Sequence, residues 1–162
     1  MPIVPLENLP EKGVLLGLDP GKKTLGLAAS DPERIIVSAV ETISRGRKLK
    51  PALERLFSVA NEREAVALVI GLPLNMDGSR GPSAQAAFAL AHEIMRVDDI
   101  AIAFYDERLT TAQVERAMIA ADISRRQRAD DIDAAAAALI LKSALERLRN
   151  TQTPAPEANE NN

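Results

Sequence analysis

The stretch GVLLGLDPGKKTLGLAASD, residues 13–31, decides the fold class of this chain. Its first part, residues 13–19, is a nearly continuous apolar run that ends on a carboxylate, which is typical of a buried central strand. Residues 25–31 form a second apolar run. Because only the tight PGKKT turn separates the two runs, they are predicted to pair as an antiparallel hairpin.

The elements that follow are typical of an α/β domain. Apolar runs predict further strands, and apolar residues at helical spacing predict helices. The strands are predicted at residues 34–43, 65–73 and 100–107, and the helices at 50–61, from Pro82, after Thr110 and at 132–149. The order βββαβαβαα therefore predicts an α/β fold with a five-stranded mixed sheet flanked by helices.

One folded domain is expected at residues 13–149, since the chain has 162 residues. Residues 1–12 contain three prolines and are interpreted as a flexible leader, and residues 150–162 as a disordered tail. The N-terminus carries no run typical of a signal peptide, and no segment approaches the roughly 20 apolar residues that cross a membrane. We therefore expect a cytoplasmic protein without membrane association.

The composition leaves carboxylates as the only plentiful catalytic groups in the chain. The absence of cysteine excludes disulfides, thiolate zinc sites and a cysteine nucleophile, and the single histidine excludes multi-histidine metal sites. Aromatic residues make up 2% of the chain, which argues against a platform that stacks single-stranded bases. The formal net charge is -3, so nucleic acid would have to bind at local basic patches.

Three acidic residues are candidates for a shared metal site. Asp19 and Glu107 end buried strands, and ligand sites gather at the carboxyl ends of strands in open α/β sheets. Asp133 begins an otherwise apolar helix face with Ala137, Ile140, Ala144 and Leu148. A carboxylate on such a face is costly to bury unless it is paired or binds a metal. These acids could hold Mg²⁺ or Mn²⁺ for two-metal-ion hydrolysis of a phosphodiester.

Each acid also has a purely structural interpretation. Asp19 could cap the PGKKT turn, Asp106 and Glu107 could be solvated charges, and Asp133 could favour the helix dipole. Asp130 and Asp131 are interpreted as N-cap residues rather than ligands.

Basic and polar residues near these acids are candidates for nucleic-acid contacts. They lie in the PGKKT turn, in the polar loop after residue 73, beside Glu107 and in the basic SRRQR stretch. The predicted contact residues are Lys22, Lys23, Asn75, Asp77, Ser79, Arg108, Thr111, Arg125, Arg126 and Arg128. The RGRKLK stretch, residues 45–50, is a further basic candidate, with a solvated surface as the alternative, just as the polar loop could be a simple turn.

Four blocks of the sequence resemble the YqgF family, also called RuvX. They are GLDPGKKTLGLAASD, VIGLPLNMDGSRGPSA, YDERLTTAQVE and IDAAAAALILKSAL, in family order and at family-like spacing. The resemblance implies an RNase H-like fold related to Holliday junction resolvases, a cytoplasmic location and a role in 5′-end processing of pre-16S rRNA. It also implies that Asp19, Glu107 and Asp133 are the catalytic and metal-binding acids. One departure is Thr24, where the family commonly has a basic side chain.

The sequence is also compatible with other functions. The same fold and chemistry could act on branched DNA as a junction resolvase, which usually requires a dimer. The chain is expected to be a monomer or a homodimer. A non-catalytic nucleic-acid-binding factor is another alternative. The stretch DPGKKTLGLA is also similar to the phosphate loop of actin-like kinases and ATPases, but those need two such domains and this chain is too short.

Overall fold

In the computed structural model, a five-stranded sheet forms the centre of the fold, and residues 3–110 and 129–152 are described. The strands are β1 (Val14–Pro20), β2 (Thr24–Ser30), β3 (Val37–Ser44), β4 (Ala65–Leu72) and β5 (Ala101–Asp106). The helices are α1 (Lys50–Glu62), α2 (Pro82–Val97) and α3 (Ala129–Gln152), and short 3₁₀ turns span Leu6–Asn8 and Glu107–Leu109.

The strands lie in the order β3-β2-β1-β4-β5. β1 pairs antiparallel with β2, and β2 with β3, while β1 pairs parallel with β4, and β4 with β5. This arrangement confirms the predicted mixed sheet and the predicted order βββαβαβ. The helix predicted after Thr110 lies outside the described residues.

Alternation along the strands divides the core between the two faces of the sheet. On one face, Leu16 and Leu18 pack with apolar residues of α1 and α2. On the other face, Leu15 and Val69 pack against α3 through Ile140. The predicted apolar stripe of α3 does face the sheet, because Ala137, Ile140, Ala144 and Leu148 are all buried. Side chains alternate along a strand, and Asp19 follows Leu15 by four residues on β1. The Asp19 side chain therefore lies on the same face as Leu15, the face that α3 covers.

Small residues let α3 approach this face closely. A Cβ atom on Gly17 would come within 2.9 Å of the carbonyl oxygen of Ala137. A Cβ atom on Gly26 would overlap the carbonyl oxygen of Asp133. The backbone at the start of α3 thus rests directly on β2, and the two glycines explain why it can.

The first residues of the chain differ from the flexible leader that the sequence predicts. Ile3 forms a parallel bridge with Ile102 at the edge of β5, and the amide of Val4 donates to the Ile102 carbonyl at 2.8 Å. Leu6 and Leu9 are buried beside the residues that pack on α3. Burial of these side chains stabilises a segment whose prolines alone suggest a loose chain. At the other end α3 continues to Gln152, and the predicted tail beyond it lies outside the described residues.

The third strand begins later than predicted, at Val37 rather than residue 34. Arg34 has a φ of 60°, in the left-handed region, so the chain turns there. The carboxylate of Asp31 accepts hydrogen bonds from the amides of Ile35 and Ile36 at 2.8 and 2.7 Å. The residues between β2 and β3 therefore form a capped turn instead of strand.

None of the helices in the described part of the chain has the length and apolar character of a membrane-spanning segment.

Candidate active site

Three carboxylates line one cavity at the carboxyl ends of β1 and β5. The cavity has a volume of about 300 Å³ and is lined by Asp19, Pro20, Gly21, Pro73, Ser83, Glu107 and Asp133. Asp19 and Glu107 are only 6% and 4% exposed, and Asp133 is partly buried. Charged groups this deeply buried are uncommon, so the cavity is the clearest candidate for a functional site.

The pairing of β1 with β2 brings Asp19 and Asp133 together. Asp19 lies opposite Gly26 in the register of the two strands. Because Gly26 has no side chain, the backbone of Asp133 occupies that space on the α3 face. A strand residue and a helix residue separated by more than 100 positions thereby border the same cavity.

Glu107 reaches the cavity across β4. β5 lies two strands from β1, which is about 10 Å at the usual strand spacing. Gly71 on β4 leaves room for the Glu107 side chain, since a Cβ atom there would lie 2.7 Å from Oε1 of Glu107. Gly71 is therefore what allows the carboxylate from the sheet edge to extend over β4 toward Asp19.

Asp106, the residue before Glu107, is held away from this cavity by Arg108. The two side chains form an ion pair at 2.7 Å, and the amide of Arg108 also donates to Oδ1 of Asp106 at 2.9 Å. The hydrogen bonds from the Arg108 side chain hold the pKa of the Asp106 carboxyl below its usual value. Alternation along β5 and this ion pair separate the two neighbouring acids, and only Glu107 lines the cavity.

Thr24 is a site residue that the sequence analysis did not identify. Its hydroxyl donates a hydrogen bond of 2.6 Å to Oδ2 of Asp133, so the start of β2 fixes the carboxylate of α3. The turn before it is closed by the amide of Gly21, which donates to the Thr24 carbonyl at 2.8 Å. In the sequence, Thr24 is visible only as a position where a basic residue is absent.

The polar loop after β4 is held by its own hydrogen bonds. Asn75 Nδ2 donates to Ser79 Oγ at 2.9 Å, and Ser79 Oγ donates to Asp77 Oδ1 at 2.6 Å. The Ser79 side chain thereby lowers the pKa of the Asp77 carboxyl. Arg108 also donates to the Met76 carbonyl at 3.3 Å. These hydrogen bonds fold the loop onto itself, and none of the three polar side chains lines the carboxylate cavity.

The other predicted contact residues lie in different places. Lys22 and Lys23 are exposed in the turn between β1 and β2. Thr111, Arg125, Arg126 and Arg128 lie outside the described residues, and for Asp130 and Asp131 only the helical backbone is described.

The donors that line the cavity suit a hard divalent cation in kind. Among residues 3–110 and 132–151, no three His, Cys, Asp or Glu side chains lie close enough together to hold a metal ion as they stand. The cavity nevertheless offers three carboxylates, and Mg²⁺ binds through one or two carboxylates while it keeps several waters. The residues therefore fit such an ion by donor type and number.

Comparison with known proteins identifies the family. A sequence model described as "RuvX: Holliday junction resolvase" matches residues 13–147. The chain belongs to the RuvX family. A Bradyrhizobium protein (strain BTAi1) named "Putative pre-16S rRNA nuclease" is 48% identical over 151 residues, which cover 91% of this chain and 93% of the relative. A relative with the same name from Rhodopseudomonas palustris (strain TIE-1) is 52% identical over 139 residues, or 86% of each chain.

A solved structure supports the RNase H-like fold of this RuvX chain. It is that of Thermus thermophilus RuvC in complex with a Holliday junction substrate, with a TM-score of 0.54 and 15% sequence identity. The match covers 86% of this chain and 97% of the RuvC chain. At this identity the likeness concerns the fold, and it confirms the predicted fold class.

Proposed function

We propose that this RuvX protein is a metal-dependent nuclease that hydrolyses phosphodiester bonds in the 5′-end processing of pre-16S rRNA in the cytoplasm. The observation that carries the proposal is the convergence of Asp19, Glu107 and Asp133 on one cavity. The family supports it, because relatives of about half-identical sequence bear the name "Putative pre-16S rRNA nuclease".

The three acids are proposed as the metal ligands. A bound Mg²⁺ or Mn²⁺, in one- or two-ion form, would supply Lewis-acid stabilisation of the phosphodiester and lower the pKa of water in the cavity. Hydrolysis adds water across a P–O bond, leaving one phosphate end and one hydroxyl end. Asp19 and Glu107 are set by strand ends, and Asp133 is oriented by the Thr24 hydroxyl, so the chain itself supplies the positioning.

The test compares two aspartates in the same local sequence, Asp19–Pro20 and Asp31–Pro32. Asp19→Asn removes one proposed ligand charge without changing side-chain shape, so cleavage should fall on the order of a thousandfold while the fold is kept. Asp31→Asn is the matched control, because Asp31 lies at the opposite end of the hairpin and should leave cleavage unchanged. The assay uses precursor rRNA with Mg²⁺ or Mn²⁺, with and without chelator.

Metal-dependent cleavage that survives Asp19→Asn would refute the proposed site. A second readout is calorimetric titration of Mn²⁺ into the unmodified protein and the Asp19→Asn variant, where the variant should bind more weakly. Absence of binding to either protein would favour a non-catalytic nucleic-acid-binding factor.

A junction resolvase is the second candidate function. The description of the matched family and the RuvC-like fold favour it. A four-way DNA junction in the same assay separates the two: the rRNA proposal expects preferential cleavage of precursor rRNA, and a preference for the junction would transfer the same three acids to a DNA substrate. Sedimentation would then show whether the chain acts as a monomer or a homodimer.

A further inference from the structure

A second cavity adjoins the carboxylate cavity. Its volume is about 400 Å³, and it is lined by Pro20, Gly21, Lys22, Arg45, Ser83 and Ala86. Pro20, Gly21 and Ser83 also line the carboxylate cavity, so the two cavities adjoin along these residues. The acids line one cavity and two cationic side chains line the other. We call this second cavity the basic groove.

Arg45 is fixed in the basic groove by the turn between β1 and β2. Its Nη1 donates to the Gly21 carbonyl at 2.9 Å, and its backbone amide donates to the Lys23 carbonyl at 2.7 Å. A guanidinium has five N–H donors, and the hydrogen bond to Gly21 uses one of them. Among the described residues no carboxylate forms an ion pair with Arg45, so its remaining donors are available to a ligand.

Three other arginines of the described chain either form ion pairs with carboxylates or lie far from the acidic cavity. Arg108, the cation beside Glu107, is paired with Asp106. Arg55 is paired with Glu41. Arg34 donates to the carbonyl of Gly13, at the opposite end of β1 from Asp19. Arg45 and the exposed Lys22 are the two cationic residues that line the second cavity.

We propose that the basic groove binds the backbone phosphates of the nucleic-acid strand next to the bond that is cleaved. This inference rests on the proposed nuclease function and assigns the path by which the strand leaves the carboxylates. A polyanion is repelled by three clustered acids on a protein of net charge -3, so a neighbouring cation is needed to hold it. Arg45 and Lys22 supply that charge, and the Ser83 hydroxyl can donate to the same strand.

The hydrogen bond from Arg45 to Gly21 also links a phosphate bound by Arg45 to the acidic residues. Gly21 lies in the turn that joins Asp19 to Thr24, and Thr24 in turn fixes Asp133. A phosphate held by Arg45 is therefore tied through one short segment to two of the three acids. Binding in the basic groove should set the register of the strand over the cavity.

The experiment measures RNA binding in the Asp19→Asn background, with chelator present, so that no cleavage occurs. A fluorescein-labelled RNA hairpin with single-stranded flanks is titrated by anisotropy at several salt concentrations. Arg45→Gln should weaken binding roughly tenfold, which corresponds to the loss of one charge-assisted contact. It should also reduce the slope of log affinity against log salt by about one. Lys22→Gln should act in the same direction with a smaller change.

Arg63→Gln and Lys12→Gln are the matched controls. Both side chains are exposed and lie near the starts of β4 and β1, away from the carboxyl ends of these strands, so neither variant should alter affinity or salt slope. Arg45→Lys keeps the charge and should retain most of the binding. If Arg45→Gln proves unstable in urea unfolding, Lys22→Gln carries the test, because Lys22 is exposed in its turn.

Equal binding by the Arg45, Lys22 and control variants would overturn the basic groove, as would absence of RNA binding by the Asp19→Asn parent. The cleavage assay on the unmodified chain is a separate result. A chain that cleaves but binds independently of Arg45 and Lys22 refutes only the groove. A chain that never cleaves refutes the proposed function.

Discussion

The two ends of the β1–β2 hairpin carry the same dipeptide with different roles. Asp19–Pro20 ends β1, and Asp31–Pro32 follows β2 at the opposite end of the sheet. Asp31 is partly exposed, and its Oδ1 accepts hydrogen bonds from the amides of Ile35 and Ile36. Asp19 is 6% exposed and lines a cavity with Glu107 and Asp133. One aspartate caps a turn, and the other belongs to a shared acidic site.

The difference arises from what surrounds each aspartate. β1 is the central strand, so Asp19 has β2 on one side and β4 on the other, with α3 above it. Because Gly26 on β2 and Gly71 on β4 have no side chains, Asp133 and Glu107 can approach Asp19 over these two strands. Asp31 leaves the sheet into a surface turn whose backbone amides use its carboxylate. The local sequence is compatible with a turn cap at both residues, and the packing around Asp19 is what places it in a shared site.

The largest effect on this comparison is expected from Gly26→Ala. The added methyl group would overlap the carbonyl of Asp133, which is backbone and cannot move aside alone, so α3 must shift away from β2. We expect the free energy of unfolding to fall by about 3 kcal/mol and cleavage to be lost. Urea unfolding measures the first effect and the rRNA assay the second.

Gly46→Ala is the control for that prediction, because no atom lies within 4 Å of a Cβ atom at Gly46. Equal unfolding midpoints for the two variants would show that α3 does not rest on β2 at Gly26.

A smaller effect is expected from Thr24→Val, which removes the hydroxyl and keeps the shape. The Asp133 carboxylate then loses its 2.6 Å hydrogen bond and can rotate in the cavity. We expect cleavage to fall roughly tenfold and Mn²⁺ binding by calorimetry to weaken by a similar factor.

Thr24→Ser keeps the hydroxyl donor, so this variant should retain most of the cleavage and most of the Mn²⁺ affinity. A Thr24→Val protein with unchanged Mn²⁺ affinity and cleavage would mean that Asp133 needs no positioning by β2.

The smallest effect is expected at the other aspartate, with Asp31→Ala. The pKa of the Asp31 carboxyl lies below its usual value mainly because the Ile36 amide donates to the charged form. A group of lowered folded-state pKa stabilises the protein above its unfolded-state pKa, and the stabilisation is lost as pH falls through the folded-state pKa. Asp31→Ala should therefore lower the midpoint of unfolding slightly at neutral pH, with cleavage unchanged.

The difference in unfolding midpoint between the Asp31→Ala variant and the unmodified protein should become smaller as the pH falls into the acid range. Asp99→Ala, an exposed aspartate outside both ends of the hairpin, serves as the control. A difference in unfolding midpoint that stays constant down to the lowest pH would mean that the effect does not come from the charge of Asp31.

The strands and helices of the described chain could largely be predicted, because apolar periodicity and turn residues are local properties. The antiparallel hairpin, the parallel strands and the stripe of α3 agree with the structure. The packing of Ile3, Leu6 and Leu9 could not be predicted, since prolines in a short segment do not show whether a partner surface exists. The contact between Thr24 and Asp133 was equally invisible, because nothing in either local sequence refers to the other.

The sequence by itself determined the elements, their order, the shortage of catalytic groups other than carboxylates, and the family blocks that named the three acids. Only the tertiary structure decided that Glu107 reaches the cavity over Gly71, that Arg108 is already paired, and that Arg45 is available beside the acids. The physical reason is that a side chain's partners depend on strand order and on the close approach of α3 over glycine, which bring together residues far apart in the chain.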